Sequence, residues 1–240
     1  MFAGVEITPP FFEVGPKAYM YGRELVRLAI RADTLSQQYG VQVIITPQDV
    51  DISAVAQSVE SVLVFAQHMD PLKPGRGVGS ALPEALREAG AVGVLLNHAE
   101  CRMAQAELPR IIGRAEEVGL ATMVCVDDTA GAERLARLAP NVIILEAPTL
   151  IGTGHPGNDT STVITEADSA VWRLNPAIRV LHAAGIGSDK DVYDVIAAGA
   201  QGTGSSSAIF TADDPAEMLQ AMIRATREAW DARQGGQATA

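Results

Sequence analysis

The chain has 240 residues, of which 48% are hydrophobic and 5% aromatic, long enough for one sizeable buried core. A formal net charge of −11 at pH 7 excludes the broad basic face that a nucleic acid or an anionic membrane would need, so any anionic ligand must be met by local cations or backbone N–H groups. The two cysteines, Cys101 and Cys125, make no CxxC or disulfide framework, no run approaches ~18 apolar residues, and residues 1–10 lack a leader pattern, so a cytoplasmic protein without a membrane span is expected.

Along the chain, β-rich runs alternate with segments of helical period. Strands are expected at 11–14, 41–46, 62–66, 92–96, 121–126, 142–145 and 179–183, with a weak eighth at 202–205. Apolar residues at three- and four-residue spacing mark 23–38, 108–119, 190–200 and 215–230 as amphipathic helices, and 234–240 reads as a flexible tail. No linker or low-complexity stretch divides the chain, so one domain over 1–240 is expected. Continuous apolar strands separated by helices specify a parallel sheet covered on both faces. Eight such units in a chain near ~250 residues predict an α/β fold of the (β/α)₈ barrel kind. A doubly wound open sheet competes, and it differs in a strand order that sequence does not display.

In a barrel, chemistry gathers at the C-terminal ends of the strands, and the unusual residues of this chain fall there. Lys17 follows the first strand; Gln67, His68 and Asp70 the third; Asn97, His98 and Glu100 the fourth; Glu146 the sixth; His182 the seventh. His155, in the loop after Glu146, completes the four histidines on this expected rim. Glu146 directly ends an apolar strand, where an unpaired buried carboxylate costs several kcal/mol, so either catalysis or a nearby cation must explain it. His98 lies at a strand-to-helix turn whose free N–H groups favour a neutral imidazole. Glu100 and Arg102 read as an ion pair at a helix start, and His68 and Asp70 as loop-fixing groups. Glycine-rich loops follow the last three strands and supply the exposed N–H groups by which barrels hold phosphate. Ile151 and Gly152, Ala184 and Gly185, and Ser206 and Ser207 are the candidates there.

The segments AQHMDPLKPGRGVGSALPEALREAGAVGVLLNHAECRM, VGLATMVC, LEAPTLIGTG and AAGIGSDKDV, in this order and spacing, resemble triosephosphate isomerase of the short, archaeal type. The resemblance implies that Glu146 is a general base, His98 an electrophile that moves protons between substrate oxygens, and 147–154 a closing lid. That base and neutral-histidine pairing is a worked case in the general theory of tuned active-site groups. It also implies a lysine at Lys17, a small phosphorylated sugar as substrate, no cofactor or metal, and a homodimer or homotetramer. The loop 71–84, with Arg76 and Val78, resembles the subunit contact. The N-terminal part departs: where the family has N-x-K-x-Y, this chain has Gly15, Pro16, Lys17, Ala18, Tyr19, and Ala99 replaces a serine. Gly15 and Ala99 are expected to widen the substrate pocket. Three further readings stand beside the triose phosphate isomerase. One is the same mechanism on a longer ketose phosphate such as a tetrulose phosphate. Another is a metal-dependent hydrolase or lyase using His68, Asp70, His98 and His182, and the third is a catalytically silent binding protein.

Overall fold

In the computed structural model, which describes residues 3–146, 160–183 and 185–237, eight parallel strands close into a barrel in the order of the chain. Closure removes the open-sheet alternative. The strands are β1 (Phe11–Val14), β2 (Gln42–Ile45), β3 (Leu63–Ala66), β4 (Gly93–Leu96), β5 (Ala121–Val126), β6 (Val142–Leu145), β7 (Arg179–His182) and β8 (Gly202–Ser205). The helices are α1 (Gly22–Tyr39), α2 (Ile52–Ala56), α3 (Pro83–Glu88), α4 (Leu108–Val118), α5 (Thr129–Ala136), α6 (Thr160–Trp172), α7 (Asp189–Ala197), α8 (Ser207–Phe210) and α9 (Pro215–Gln237).

The period-2 geometry of a strand sorts the apolar residues into two cores. Phe12, Val14, Val43, Ile45, Val64, Val94, Val124, Ile143 and Val180 face outward and meet the helices. Phe11, Ile44, Phe65, Leu95, Met123, Cys125, Ile144 and Leu181 point into the barrel and fill it. Such a strand is apolar on both faces, which is why these runs read as continuous rather than alternating. Two large rings fill the barrel interior. A Cβ built on Gly202 would lie 2.5 Å from the Phe11 ring, and one on Gly93 would lie 2.4 Å from the Phe65 ring. These glycines are therefore required by close approach. That need explains β8, whose sequence GTGS has little intrinsic strand preference yet pairs with β1 over its whole length.

Helix ends follow local chemistry. Gly40 and Gly119 stop α1 and α4 in the left-handed conformation, at φ 61° and 80°. Asp128 caps α5 by accepting from the Gly131 amide at 2.6 Å, and Ser188 caps α7 by accepting from the Asp191 amide at 3.2 Å. Helix α9 runs on to Gln237, four residues into the segment that the sequence reads as a flexible tail. Among the described residues no helix is long and apolar enough to cross a membrane.

Candidate active site

A cavity of about 650 Å³ opens at the C-terminal ends of the strands, and Lys17, His98, Glu100 and Glu146 line it together. Each is placed by the strand before it. The Glu146 amide donates to Val126 O at 2.9 Å, which extends the β5–β6 ladder by one residue and fixes the Cα at the strand mouth. Its side chain is 14% exposed, and burial raises its carboxyl above the usual glutamate range, a shift partly offset by Lys17 and Arg102. His98 stands opposite at 16% exposure, with Nε2 3.9 Å from Glu146 Oε2. The Glu100 amide donates to His98 Nδ1 at 3.1 Å, so the neutral ring carries its hydrogen on Nε2, facing the cavity. Burial, then the charges of Lys17 and Arg102, hold the imidazole below its ordinary pKa. The amide that favours neutrality thus comes from a turn, closed by Cys101 N–H on His98 O, and not from the first turn of a helix.

Lys17 has φ 46°, a left-handed conformation uncommon outside glycine. Gln67 holds it there: its Nε2 donates to Lys17 O at 3.1 Å and to Thr46 O at 2.8 Å. Backbone strain maintained by a dedicated partner is a usual mark of a working position. The ammonium reaches Glu100 Oε1 at 2.6 Å, and this hydrogen bond lowers the Glu100 carboxyl. Asn97, with φ 59°, clamps the next loop by donating to Cys125 O and accepting from the Met103 amide.

Two sequence expectations are corrected. Glu100 and Arg102 do not pair with each other. Lys17 takes Glu100, and Arg102 reaches Asp127 Oδ1 across the next loop at 2.5 Å. The turn after His98 sends their side chains apart, and two nearer partners with opposite charge are available. His182 is also not at the site. On β7 Leu181 points into the barrel, so His182 points out, where it is buried and meets Asp168 of α6 at 2.9 Å. The metal-site reading loses a ligand thereby, and the described residues contain no group of three or more His, Cys, Asp or Glu able to hold a metal ion. His68 and Asp70 behave as expected, 3.5 Å apart, with Asp70 accepting from the Ala81 amide to fix the third loop.

Of the phosphate candidates, Gly185, Ser206 and Ser207 line the cavity, and so does Gly15. Ser206 Oγ donates to Gly15 O at 2.7 Å, so its hydroxyl ties the first loop to the eighth. Ser207 opens the short helix α8 with amides that the helix itself leaves unused. Ile151, Gly152, Ala184, His155 and the lid at 147–154 lie outside the described residues.

Sequence reasoning passed over Glu13. It lies inward on β1, two residues from Phe11, and lines the cavity floor. Protein surrounds it on its other sides, and burial pushes its carboxyl up to about 7 against a hydrogen bond from Thr46 Oγ1 to Oε1 at 3.0 Å. The signal was present as one acid inside the apolar run FFEV.

The family model described as triosephosphate isomerase matches residues 16–222. The triosephosphate isomerase of Methanothermus fervidus is 34% identical over 84% of this chain and 91% of the relative. That of Methanobacterium bryantii is 36% identical over 84% and 89% respectively, and that of Methanosarcina mazei 34% over 90% and 98%. A closed barrel whose rim joins a buried glutamate, a neutral histidine and a strained lysine, matched over this length, belongs to a chain of the triosephosphate isomerase family.

Proposed function

We propose that this chain interconverts glyceraldehyde 3-phosphate and dihydroxyacetone phosphate through an enediolate, with Glu146 as base, His98 as electrophile and Lys17 as the fixed positive charge. The carrying observation is the pairing of Glu146 Oε2 and His98 Nε2 on the cavity wall at 3.9 Å, too long for a hydrogen bond between them and close enough for one small substrate lying against both to meet base and donor together. The Glu146 carboxylate takes a proton from the carbon beside C=O. The electron pair of that C–H bond forms the new C=C, and the carbonyl π pair moves onto oxygen. There the Nε2–H of His98 and the Lys17 ammonium meet the developing charge. His98 then passes a proton between the two oxygens, and Glu146 returns its proton to the neighbouring carbon. Burial of Glu146 supports this role, since a base raised toward neutral pH abstracts a carbon-bound proton better than a solvated one.

The phosphate is assigned to the amides of the late loops, including Ser207, together with Lys17. The ligand is a small phosphorylated sugar, with no nucleic acid and no cofactor, and the setting is cytoplasmic. Self-association is proposed through the third loop, where Val78 is fully exposed, and α4 supports that loop: Arg110 Nη1 donates to Pro71 O and Arg114 Nε to Leu72 O.

The longer ketose phosphates are not favoured. The widening expected from Gly15 is largely taken up, because a Cβ there would meet Glu13 Oε1 at 3.1 Å. One panel of three- to five-carbon aldose and ketose phosphates, assayed for kcat/KM with and without a chelator, tests the reading. Triose phosphate turnover that ignores the chelator is expected. Turnover of no member would overturn the assignment.

A further inference from the structure

The cavity floor holds one group that the reaction described above does not use. Glu13 is the inward residue of β1 next to the rim, paired in register with Gly204 of β8. Both flanking positions are shaped around its carboxyl. A Cβ on Gly204 would sit 2.9 Å from Glu13 Oε2 and 2.8 Å from its carbonyl oxygen, and a Cβ on Gly15 would sit 3.1 Å from Oε1. Thr46, the residue after β2, donates to Oε1, so Oε2 is the oxygen left for a partner in the cavity that Glu13 lines. An acid alone on an apolar barrel floor is costly unless it has a partner, and two glycines at its sides make room for it rather than replace it.

We propose that Glu13 is a substrate-contacting residue that donates a hydrogen bond, as a neutral carboxylic acid, from Oε2 to an oxygen of the bound sugar phosphate. The donor takes the place of the side chain that Gly15 lacks. The site then has donors on two sides of the reacting oxygens, His98 from the rim and Glu13 from below. This rests on the isomerase reading for the identity of the substrate, though not for the protonation of Glu13.

The charges facing Glu13 decide whether it stays neutral. Glu146, from the end of β6, raises its carboxyl, and Lys17, from the loop after β1, lowers it. Cys125 of β5 is a buried thiol whose own titration lies well above neutrality, and His98, in the loop after β4, is held neutral. Thr46, just past β2, and Gly204 of β8 carry no charge. Burial outweighs the Lys17 charge, and with a carboxyl near 7 the acid form predominates below neutral pH.

The test is Glu13→Gln, which keeps an N–H donor, beside Glu13→Val, which does not. At pH 6, Glu13→Val is expected to lower kcat/KM for triose phosphate by about 10-fold or more, and Glu13→Gln by about 3-fold. Wild-type kcat/KM is expected to decline as pH rises through about 7, and Glu13→Gln to abolish that decline. Titration of the substrate phosphate is common to both and cancels in the comparison. Infrared difference spectra supply a readout free of activity: a protonated-carboxyl band titrating near neutrality in the wild type and absent from Glu13→Gln. Glu13→Val within 2-fold of wild type would overturn the contact. Glu13→Gln as impaired as Glu13→Val would overturn the neutral donor, as would the absence of the band. If the wild type turns over no triose phosphate while the band is present, the isomerase reading fails and the acid stands.

Discussion

Replacing Glu146 by aspartate keeps the charge and removes one methylene. The Cα is pinned, because the residue's amide closes the β5–β6 ladder on Val126 O, so the carboxylate retracts toward the strand by about 1 Å. The 3.9 Å gap to His98 Nε2 widens by a similar amount, and a substrate held by the phosphate loops does not follow. Misplacement on this scale costs ~10²-fold, equivalent to about 2.7 kcal/mol of barrier. The lost interaction exists only in the transition state, so kcat and kcat/KM should fall together while KM stays. The assay is steady-state kinetics in both directions, with circular dichroism to confirm the fold. The raised carboxyl adds a second mark. The base works ionised, so wild-type kcat/KM should decline as pH falls through a value above that of an ordinary glutamate. An unchanged turnover number in Glu146→Asp would refute the reasoning and remove Glu146 from the mechanism.

Asp168→Ala strips the carboxylate partner of buried His182, which should lower stability by about 1–3 kcal/mol, or roughly 2–10 °C in Tm, and leave kcat within 2-fold, because the pair lies between β7 and α6 and not in the cavity. A kcat loss of 10-fold in a folded variant would return His182 to the site. Glu13 binds its proton more tightly folded than unfolded, so stability should fall as pH rises from about 4.5 to about 7, by about 3 kcal/mol in all. Glu13→Gln should therefore be more stable than wild type at pH 8 by denaturant unfolding and lose that advantage toward pH 5, and equal stability at both would refute the burial argument. Sedimentation at micromolar concentration should show a dimer or tetramer that Val78→Asp shifts toward monomer, and a clean 25.2 kDa wild-type monomer would remove the third loop as a contact.

Most of the fold was legible because its causes are local. Strands buried on both faces must be apolar throughout, and helices covering them must repeat every 3.6 residues, so seven of the eight strands announce themselves within a residue or two. β8 was weakly visible, since GTGS has no large apolar side chain to declare a strand. Its glycines answer to Phe11 and Glu13 on the neighbouring strand, a constraint about 190 residues away in sequence. The rim was legible through strand-end position, and Lys17, His98 and Glu146 do line one cavity. His182 misled for a related reason. It ends a strand as the others do, but the parity of β7 turns it outward, and parity is set by closure of the barrel rather than by the residue itself.

Glu13 was illegible for a different reason: an acid in FFEV has no meaning until its neighbours are known. With them in place, the charges of the cavity become interpretable. Glu146 must be ionised to act as base, and Glu100 is ionised and joined to Lys17, so that pair carries little net charge toward an incoming phosphate. A third ionised carboxylate at the floor would set the site against a doubly charged ligand, in a chain already at −11. Burial prevents this by keeping the Glu13 proton in place below neutral pH, and the same burial that keeps Glu146 reactive also makes Glu13 a donor. Glu146 is near enough to raise the titration of Glu13, and the two acids differ in what surrounds them. Glu146 has both Lys17 and Arg102 to favour its charge, while Glu13 has Lys17, a threonine and two glycines and is the more deeply buried. With Glu146 as the base at carbon and Glu13 as a donor to oxygen, the proton taken and the hydrogen bond given come from separate carboxyls.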